Sequence, residues 1–360
     1  MAVSDRDIES VEALADRDAR RQVWLARGAA AGRLIVSVFV TLLGLLALTF
    51  FIGRMLPIDP VLAVVGDQAD QATYEMMYRK LGLDQPLYVQ FWNYISSVAR
   101  LDFGVGTFSG QEVATDIARV FPATLELATV ALIVGVFLGI PMGVLAAVFR
   151  NSLIDHITRI IGLIGYSTPI FWLGLMGLLV FYGMLGWVGG PGRVDSFYID
   201  IVEPVTGSIL IDAALADEWD IFWNAVSHII MPGSILGFTA LAYIARMTRS
   251  FMLEQLNQEY VITARVKGLS NRQVIWRHAF RNVAVPLITV IALSYGFLLE
   301  GAVLTETVFA WPGFGQYLTN ALLQGDMNAV LGCTLVVGVI FIALNLLSDL
   351  LYRLLDPRTK

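Results

Sequence analysis

Six runs of about twenty largely uncharged residues dominate the chain, and each is long enough to cross a hydrocarbon core of roughly 30 Å as an α-helix. They fall near 34–52, 124–149, 160–188, 222–245, 283–304 and 329–351. In lipid every backbone N–H and C=O must be satisfied without water, so such runs fold as a bundle of membrane helices. Composition agrees, because hydrophobic residues make up 57% of the 360 and charged residues 15%; soluble domains carry about 25% charged residues. The predicted fold class is an all-α integral membrane protein with six transmembrane helices.

Six crossings put both termini on one side, and the short basic segments choose that side. Arg20, Arg21, Arg27 and Arg33 precede the first run, Arg150 and Arg159 follow the second, and Arg353, Arg358 and Lys360 close the chain. The segment between the fourth and fifth runs adds Arg246, Arg249, Arg265, Lys267, Arg272, Arg277 and Arg281. All are assigned to the cytoplasm. The 189–221 loop instead sets Asp195, Asp200, Glu203, Asp212, Asp217, Glu218 and Asp220 against Arg193 alone, so it is assigned to the outer face.

Residues 1–33 read as a cytoplasmic tail, flexible or lying on the membrane surface, with no cleavable signal, and the first run reads as a retained anchor. The 53–122 region is too long for a plain connection. Within it Asp84-Gln85-Pro86 is a helix-start signal and Leu87, Phe91, Tyr94 and Ile95 form an apolar stripe, predicting a small helical cap outside the membrane. A membrane-helix core is expected over 117–352, a cytoplasmic loop over 246–282 and a short cytoplasmic tail over 353–360.

Several chemistries are disfavoured. Cys333 is the single cysteine, and His156, His228 and His278 lie far apart, so neither a disulfide nor a cysteine or histidine metal cluster is predicted. A phosphate-cradling loop needs a Gly-Lys pair, yet Lys80, Lys267 and Lys360 follow Arg79, Val266 and Thr359. No catalytic residue and no cofactor are predicted. An ion-driven transporter, the alternative function, would place ionisable groups at mid-membrane and show an inverted repeat. Glu126 and Glu300 lie toward span ends, and no convincing repeat is visible. An ionised carboxylate at the bilayer centre costs at least ~2.5 kcal/mol, so both are candidates for lining a translocation path or for polar contacts between helices. Gly162, Gly165, Pro169, Gly174 and Gly177 in the third run, and Pro232, Gly233 and Gly237 in the fourth, allow close packing or bending.

The 254–281 segment is basic and amphipathic. Leu253, Leu256, Tyr260 and Ala264 fall on one helical stripe. Gly268 then suits a left-handed helix end, and Ser270-Asn271-Arg272-Gln273 reads as a capping box opening a second helix. Such an elbow between two membrane helices is suited to exchanging force with a soluble partner; from the residues alone an ordinary basic cytoplasmic loop is the plainer reading.

Tyr260-Val261-x-Thr263-Ala264-Arg265-x-Lys267-Gly268-Leu269-Ser270, followed by His278-Ala279-x-Arg281-Asn282, resembles the cytoplasmic loop of permease subunits of ABC-type dipeptide and oligopeptide importers. Glu306-Thr307-Val308-Phe309-x-Trp311-Pro312-Gly313-x-Gly315, Phe121-Pro122-Ala123-Thr124-Leu125-Glu126-Leu127, Leu81-Gly82-Leu83-Asp84-Gln85-Pro86 and the Asn345–Arg358 segment extend the likeness over about 34–360. The general importer loop begins Glu-Ala-Ala; here Ile262-Thr263-Ala264 fills that triplet and Glu259 lies outside its register. The resemblance implies the type I importer fold and no ATP hydrolysis by this chain. It implies as partners a second homologous permease, two cytoplasmic ATP-binding subunits and an extracytoplasmic solute-binding protein, with no nucleic acid involved. It places Thr263, Ala264, Arg265, Lys267, Gly268, Leu269, Ser270 and Arg272 at the ATPase contact, and the protein in a bacterial inner membrane. Relatives of this branch carry dipeptides, oligopeptides, glutathione, nickel chelates or oligosaccharides.

Overall fold

The computed structural model describes residues 28, 32–33, 35–53, 59–66, 69–107 and 109–355. Most of the tail at 1–33, the end of the C-terminal motif and Arg54 lie outside them. Contacts divide the chain into two units, 1–56 and 57–360. The first contains α1, Ile35–Gly53, apolar enough to span a membrane. Its outward Ile35, Phe39, Val40 and Leu48 are exposed, as on a helix solvated by lipid tails. Thr49 turns its hydroxyl back onto the carbonyls of Leu45 and Leu46, at 2.9 and 3.1 Å, which satisfies it within the helix.

The second unit is helical, with its main core between the long helices and smaller clusters around it. Three short helices come first: α2 (Pro60–Val65), α3 (Gln71–Lys80) and α4 (Leu87–Val98). Asp59 opens α2 by accepting from Val61 N and also accepts from the Tyr74 hydroxyl, which holds its carboxyl below the usual range. The expected start of α4 is present at Leu87, but Pro86 occupies the cap position and Gln90 reaches back to the Gln85 carbonyl at 2.7 Å. Of the predicted stripe Phe91, Tyr94 and Ile95 are half-buried, while Leu87 stays exposed.

Two long helices form the spine, α5 (Val113–Val148) and α9 (Trp219–Leu256). At 36 and 38 residues they run about 54 and 57 Å, well beyond the bilayer core. Both therefore begin earlier than the apolar runs suggested, because polar turns outside the hydrocarbon continue the same hydrogen-bond ladder. They pack through small residues. Gly135, Gly139 and Gly143 recur every fourth position along α5; Cβ atoms there would stand 2.8 Å from Ala240 Cβ, 3.0 Å from the Leu241 carbonyl and 2.5 Å from the Ala245 carbonyl. Gly237 answers from α9, where a Cβ would lie 2.7 Å from the Ala131 carbonyl. Membrane helices gain little from apolar transfer between one another, so backbone approach and dense packing hold this pair.

The expected third span over 160–188 is not one straight helix. α6 (Leu153–Ser167) and α7 (Ile170–Gly177, continued by a π-helical turn at Leu178–Met184) meet at 101°. Pro169 causes the break: it has no N–H to donate and forces Thr168 out of the helical region, to ψ 126°. The described residues thus hold five helices long and apolar enough to span, or six with this bent pair counted as one. Packing explains the helix glycines Gly165, Gly174, Gly177, Gly233 and Gly237, each closed to a Cβ, whereas Gly162 faces open space.

The 189–221 loop folds onto itself through α8 (Ile209–Leu215) and a core of Val202, Ala213 and Ile221. Asp212, counted with the outward acids, is buried and accepts from the backbone N–H groups of Thr206 and Gly207. After α9 come α10 (Glu259–Val266) and α11 (Asn271–Gln273). A π-helical turn at Val274–Ala279 then leads without interruption into α12 (Phe280–Val308). The chain closes with α13 (Phe314–Gln324), ended by Gly325 at φ 72°, and α14 (Met327–Leu355). The fifth spanning helix accordingly runs from Asn271, twelve residues before its apolar run.

Candidate functional site

The elbow between α9 and α12 is a small folded body. The expected single stripe from Leu253 to Ala264 is broken, because α9 stops at Leu256 and α10 starts at Glu259. Both halves still converge: Val261, Ala264 and Val274 are buried together, with Leu256, Tyr260 and Leu269 packed around them. Gly268 takes φ 78° with open space where a side chain would stand, a backbone that costs other residues about 1–2 kcal/mol. Ser270 accepts from Gln273 N, and Gln273 Oε1 accepts from Ser270 N at 3.1 Å, completing the predicted capping box.

Ala264 is buried and Leu269 half-buried, so these two hold the corner from inside. Thr263, Arg265, Lys267, Gly268, Ser270 and Arg272 are exposed. Between the cations stand two apolar side chains, Ile262 at 55% and Val266 at 82% exposure. They are one turn apart on α10 and were not singled out from the sequence, although their i, i+4 spacing was the available signal.

One clamp sets the α9 end of this body. Asp155, buried in the first turn of α6, accepts from Arg249 Nε at 2.7 Å and Nη2 at 3.0 Å, from Arg159 Nη2 at 2.7 Å and from Asn151 N. Asp155→Ala would leave Arg249 beside an empty acceptor site. We expect the apparent Tm of the purified chain to fall by about 5 °C, with Asp155→Glu intermediate, by thermal unfolding in detergent.

At the other end of the bundle two buried carboxylates organise the quoted motifs. Glu306 accepts from the Thr124 hydroxyl at 2.5 Å and from Gln316 N at 2.9 Å. Thr124 in turn accepts from Phe314 N at 2.8 Å, and fully buried Trp311 donates its Nε1–H to the Ala123 carbonyl at 2.9 Å. Gly313 and Gly315 leave room for this carboxylate, since a Cβ at either would come within 2.4 and 3.0 Å of its oxygens. The segments around Thr124 and Trp311 are therefore two halves of one joint. Glu126 forms the second knot, accepting from Arg193 Nη2 at 2.5 Å, Ser208 Oγ at 2.6 Å and Leu210 N at 2.9 Å. Arg193, the one base counted against the acids of this loop, is half-buried, with its guanidinium 5.7 Å from the Trp311 ring centre.

The two path candidates thus differ. Glu126 is tied into the fold, whereas Glu300 is exposed on α12 and makes no hydrogen bond or ion pair with any described residue. It lies on one exposed stripe with Leu293, Phe297, Leu304 and Thr307. The structure does not bring the two carboxylates into one hydrogen-bonded group.

Residues 139–360 match the family described as binding-protein-dependent transport system inner membrane component, and residues 31–128 match the N-terminal region of such membrane components. The chain is 44% identical to the probable D,D-dipeptide transport system permease protein DdpB of Escherichia coli, over 88% of this chain and 92% of that one. It is 43% identical to the di/tripeptide transport system permease protein DppB of Pseudomonas aeruginosa, over 89% and 95%. Among solved structures, inward-facing MetNI methionine ABC transporter gives a TM-score of 0.47 at 18% identity, over 65% of this chain and 93% of that chain. A match over most of the chain, together with membrane helices joined by the elbow, settles the class: this protein belongs to the binding-protein-dependent transport family, as an inner-membrane permease subunit of an ABC importer and not an enzyme.

Proposed function

We propose that this chain forms half of the path by which di- or oligopeptides, or related small solutes, enter the cell. The other half is a second, homologous permease; two cytoplasmic ATPases drive the pair, and a solute-binding protein delivers cargo at the outer face. Both termini are then cytoplasmic, the helices of 53–122 and the 189–221 loop lie outside, and the 254–281 elbow lies inside. The names of the relatives support the peptide class. The elbow supports the mechanism, and one observation carries it: Ile262 and Val266 protrude among Arg265, Lys267 and Arg272 from a corner whose second arm is continuous with α12. An apolar ridge in a basic collar fits a cleft with an apolar floor and acidic rim. Movement of that cleft would turn α12 directly and α9 through the Asp155 clamp, exchanging outward for inward access.

The natural chain offers a clean probe, because Cys333 is buried. A cysteine at Val266 is then the reactive thiol, and a bifunctional reagent should join it to an ATPase subunit in the active complex. Failure to capture that subunit while uptake proceeds would overturn the docking. Val266→Asp should lower uptake at least tenfold with ATP hydrolysis falling less. Gly268→Val, which strains the turn without meeting a neighbour, should likewise reduce solute moved per ATP. Unchanged stoichiometry in both variants would rule out the elbow as the lever.

A further inference from the structure

A cavity of about 300 Å³ opens between α6, α9 and α12, with Tyr166, Thr239, Tyr243, Ser294 and Phe297 among its walls. Its size is at the lower end of small-ligand sites. Its walls are aromatic and hydroxylic, and the Thr239 and Ser294 hydroxyls already donate to carbonyls of their own helices. They therefore offer little directional demand of their own. None of the residues lining it carries a charge.

At the end nearer the elbow, Arg246 lies with its guanidinium 4.7 Å from the Tyr166 ring centre and 5.7 Å from that of Tyr243, and donates to the Tyr166 hydroxyl at 3.0 Å. A guanidinium carries five N–H donors, and this bond uses one. Arg246 is exposed despite these contacts. At the opposite end Glu300 lies one turn beyond Phe297 on the exposed stripe of α12. It has no partner among the described residues, whereas the buried Asp116, Glu126, Asp155 and Glu306 are all held by hydrogen bonds.

The spacing has a meaning. Leu236 of α9 is level with Gly301 of α12, where an added Cβ would come within 3.4 Å of its Cδ1. Arg246 follows Leu236 by ten positions, so the two charged residues are separated by about 15 Å along the helix axes. An extended dipeptide spans about 7 Å, and the Arg246 and Glu300 side chains would have to cover the remainder. A cation and an anion held apart across an aromatic cavity match a short zwitterion, not a uniformly charged or apolar solute.

We propose that this cavity is a transit site for a free dipeptide, its α-ammonium at Glu300 and its α-carboxylate at Arg246, with the side chains against Tyr166, Tyr243 and Phe297. The site rests on the peptide-import reading above and adds to it a selectivity for free termini within the membrane. Both charged residues are exposed, so they check cargo in passing and do not store it. Uncapped dipeptides would find a partner for each terminal charge, and peptides blocked at either end would leave one of these groups unmatched.

The test uses the complete complex, purified through a tag on this chain and reconstituted into liposomes, with uptake of radiolabelled Ala-Ala as readout. Glu300→Gln and Arg246→Gln should each reduce uptake at least tenfold, and Glu300→Asp, which keeps the charge, should restore at least half of it. A packing role alone would not give that rescue. In parallel, an Ala-dipeptide carrying a diazirine side chain should label Tyr166, Tyr243 or Phe297 in the unmodified complex, with labelling competed by Ala-Ala. This second readout holds even if a variant fails to assemble. Uptake within twofold of the natural chain in both Gln variants, or labelling confined to other segments, would overturn the site and leave peptide import standing. No uptake of any dipeptide by the natural complex would instead overturn the import reading, and the site with it.

Discussion

Trp311→Ala abolishes the assembled permease, the largest loss expected from any single truncation in the chain. The indole is completely buried, and its Nε1–H is the donor that reaches the Ala123 carbonyl. Emptying a site of this size costs about 3–5 kcal/mol, and the lost indole hydrogen bond to a carbonyl already bonded within α5 adds about 1 kcal/mol more. Total stabilities are about 5–15 kcal/mol, so little folded protein remains. Trp311→Phe retains most of the volume and loses the hydrogen bond, and should cost only about 1–2 kcal/mol. Fluorescence-detected size exclusion after graded heating separates the three proteins. An alanine variant melting within 2 °C of the natural chain would show that the joint bears no weight.

The second large effect is Gly143→Val. A Cβ at this position would stand 2.5 Å from the Ala245 carbonyl and 2.6 Å from Thr248 Cβ, and the nearer of these is backbone that cannot swing aside. The whole α5–α9 contact would have to open, and the approach at Gly139 and Gly135 would be lost with it. Overpacking usually costs about 1–3 kcal/mol, but here the strain falls on main chain along a seam. We expect loss of the folded protein from the membrane fraction, while Gly162→Val, facing open space, accumulates normally. Equal accumulation of the two would refute the seam.

These two sites show where a single sequence is informative and where it is not. Span existence was legible because hydrocarbon demands long apolar runs, and the elbow was legible because glycine at Gly268 and a serine cap at Ser270 act locally. Span ends were not, since α5, α9 and the Asn271 helix continue through polar turns that the bilayer does not select. The bend at Pro169 was announced by the proline, yet its 101° angle depends on what each half packs against. Glu306 and Trp311 were visible as a motif without a reason, because the reason lies 182 positions away at Thr124. Gly135, Gly139 and Gly143 carried a readable four-residue repeat that was passed over in favour of the glycines of the neighbouring runs. The Arg193–Glu126 pairing was not legible, since one inward base in an acidic loop has the same composition as one outward base.

That long separation has a consequence for biogenesis. Ribosomes add about 5–20 residues per second, so Thr124 emerges on the order of ten to forty seconds before the Glu306 that completes its bonding. Throughout that interval the Thr124 hydroxyl lacks Glu306, and the Ala123 carbonyl, already bonded within α5, lacks its indole donor. A chain cut short within that window would carry an unfinished joint, exposed to membrane proteases, and completion of the fifth crossing is the step that closes it.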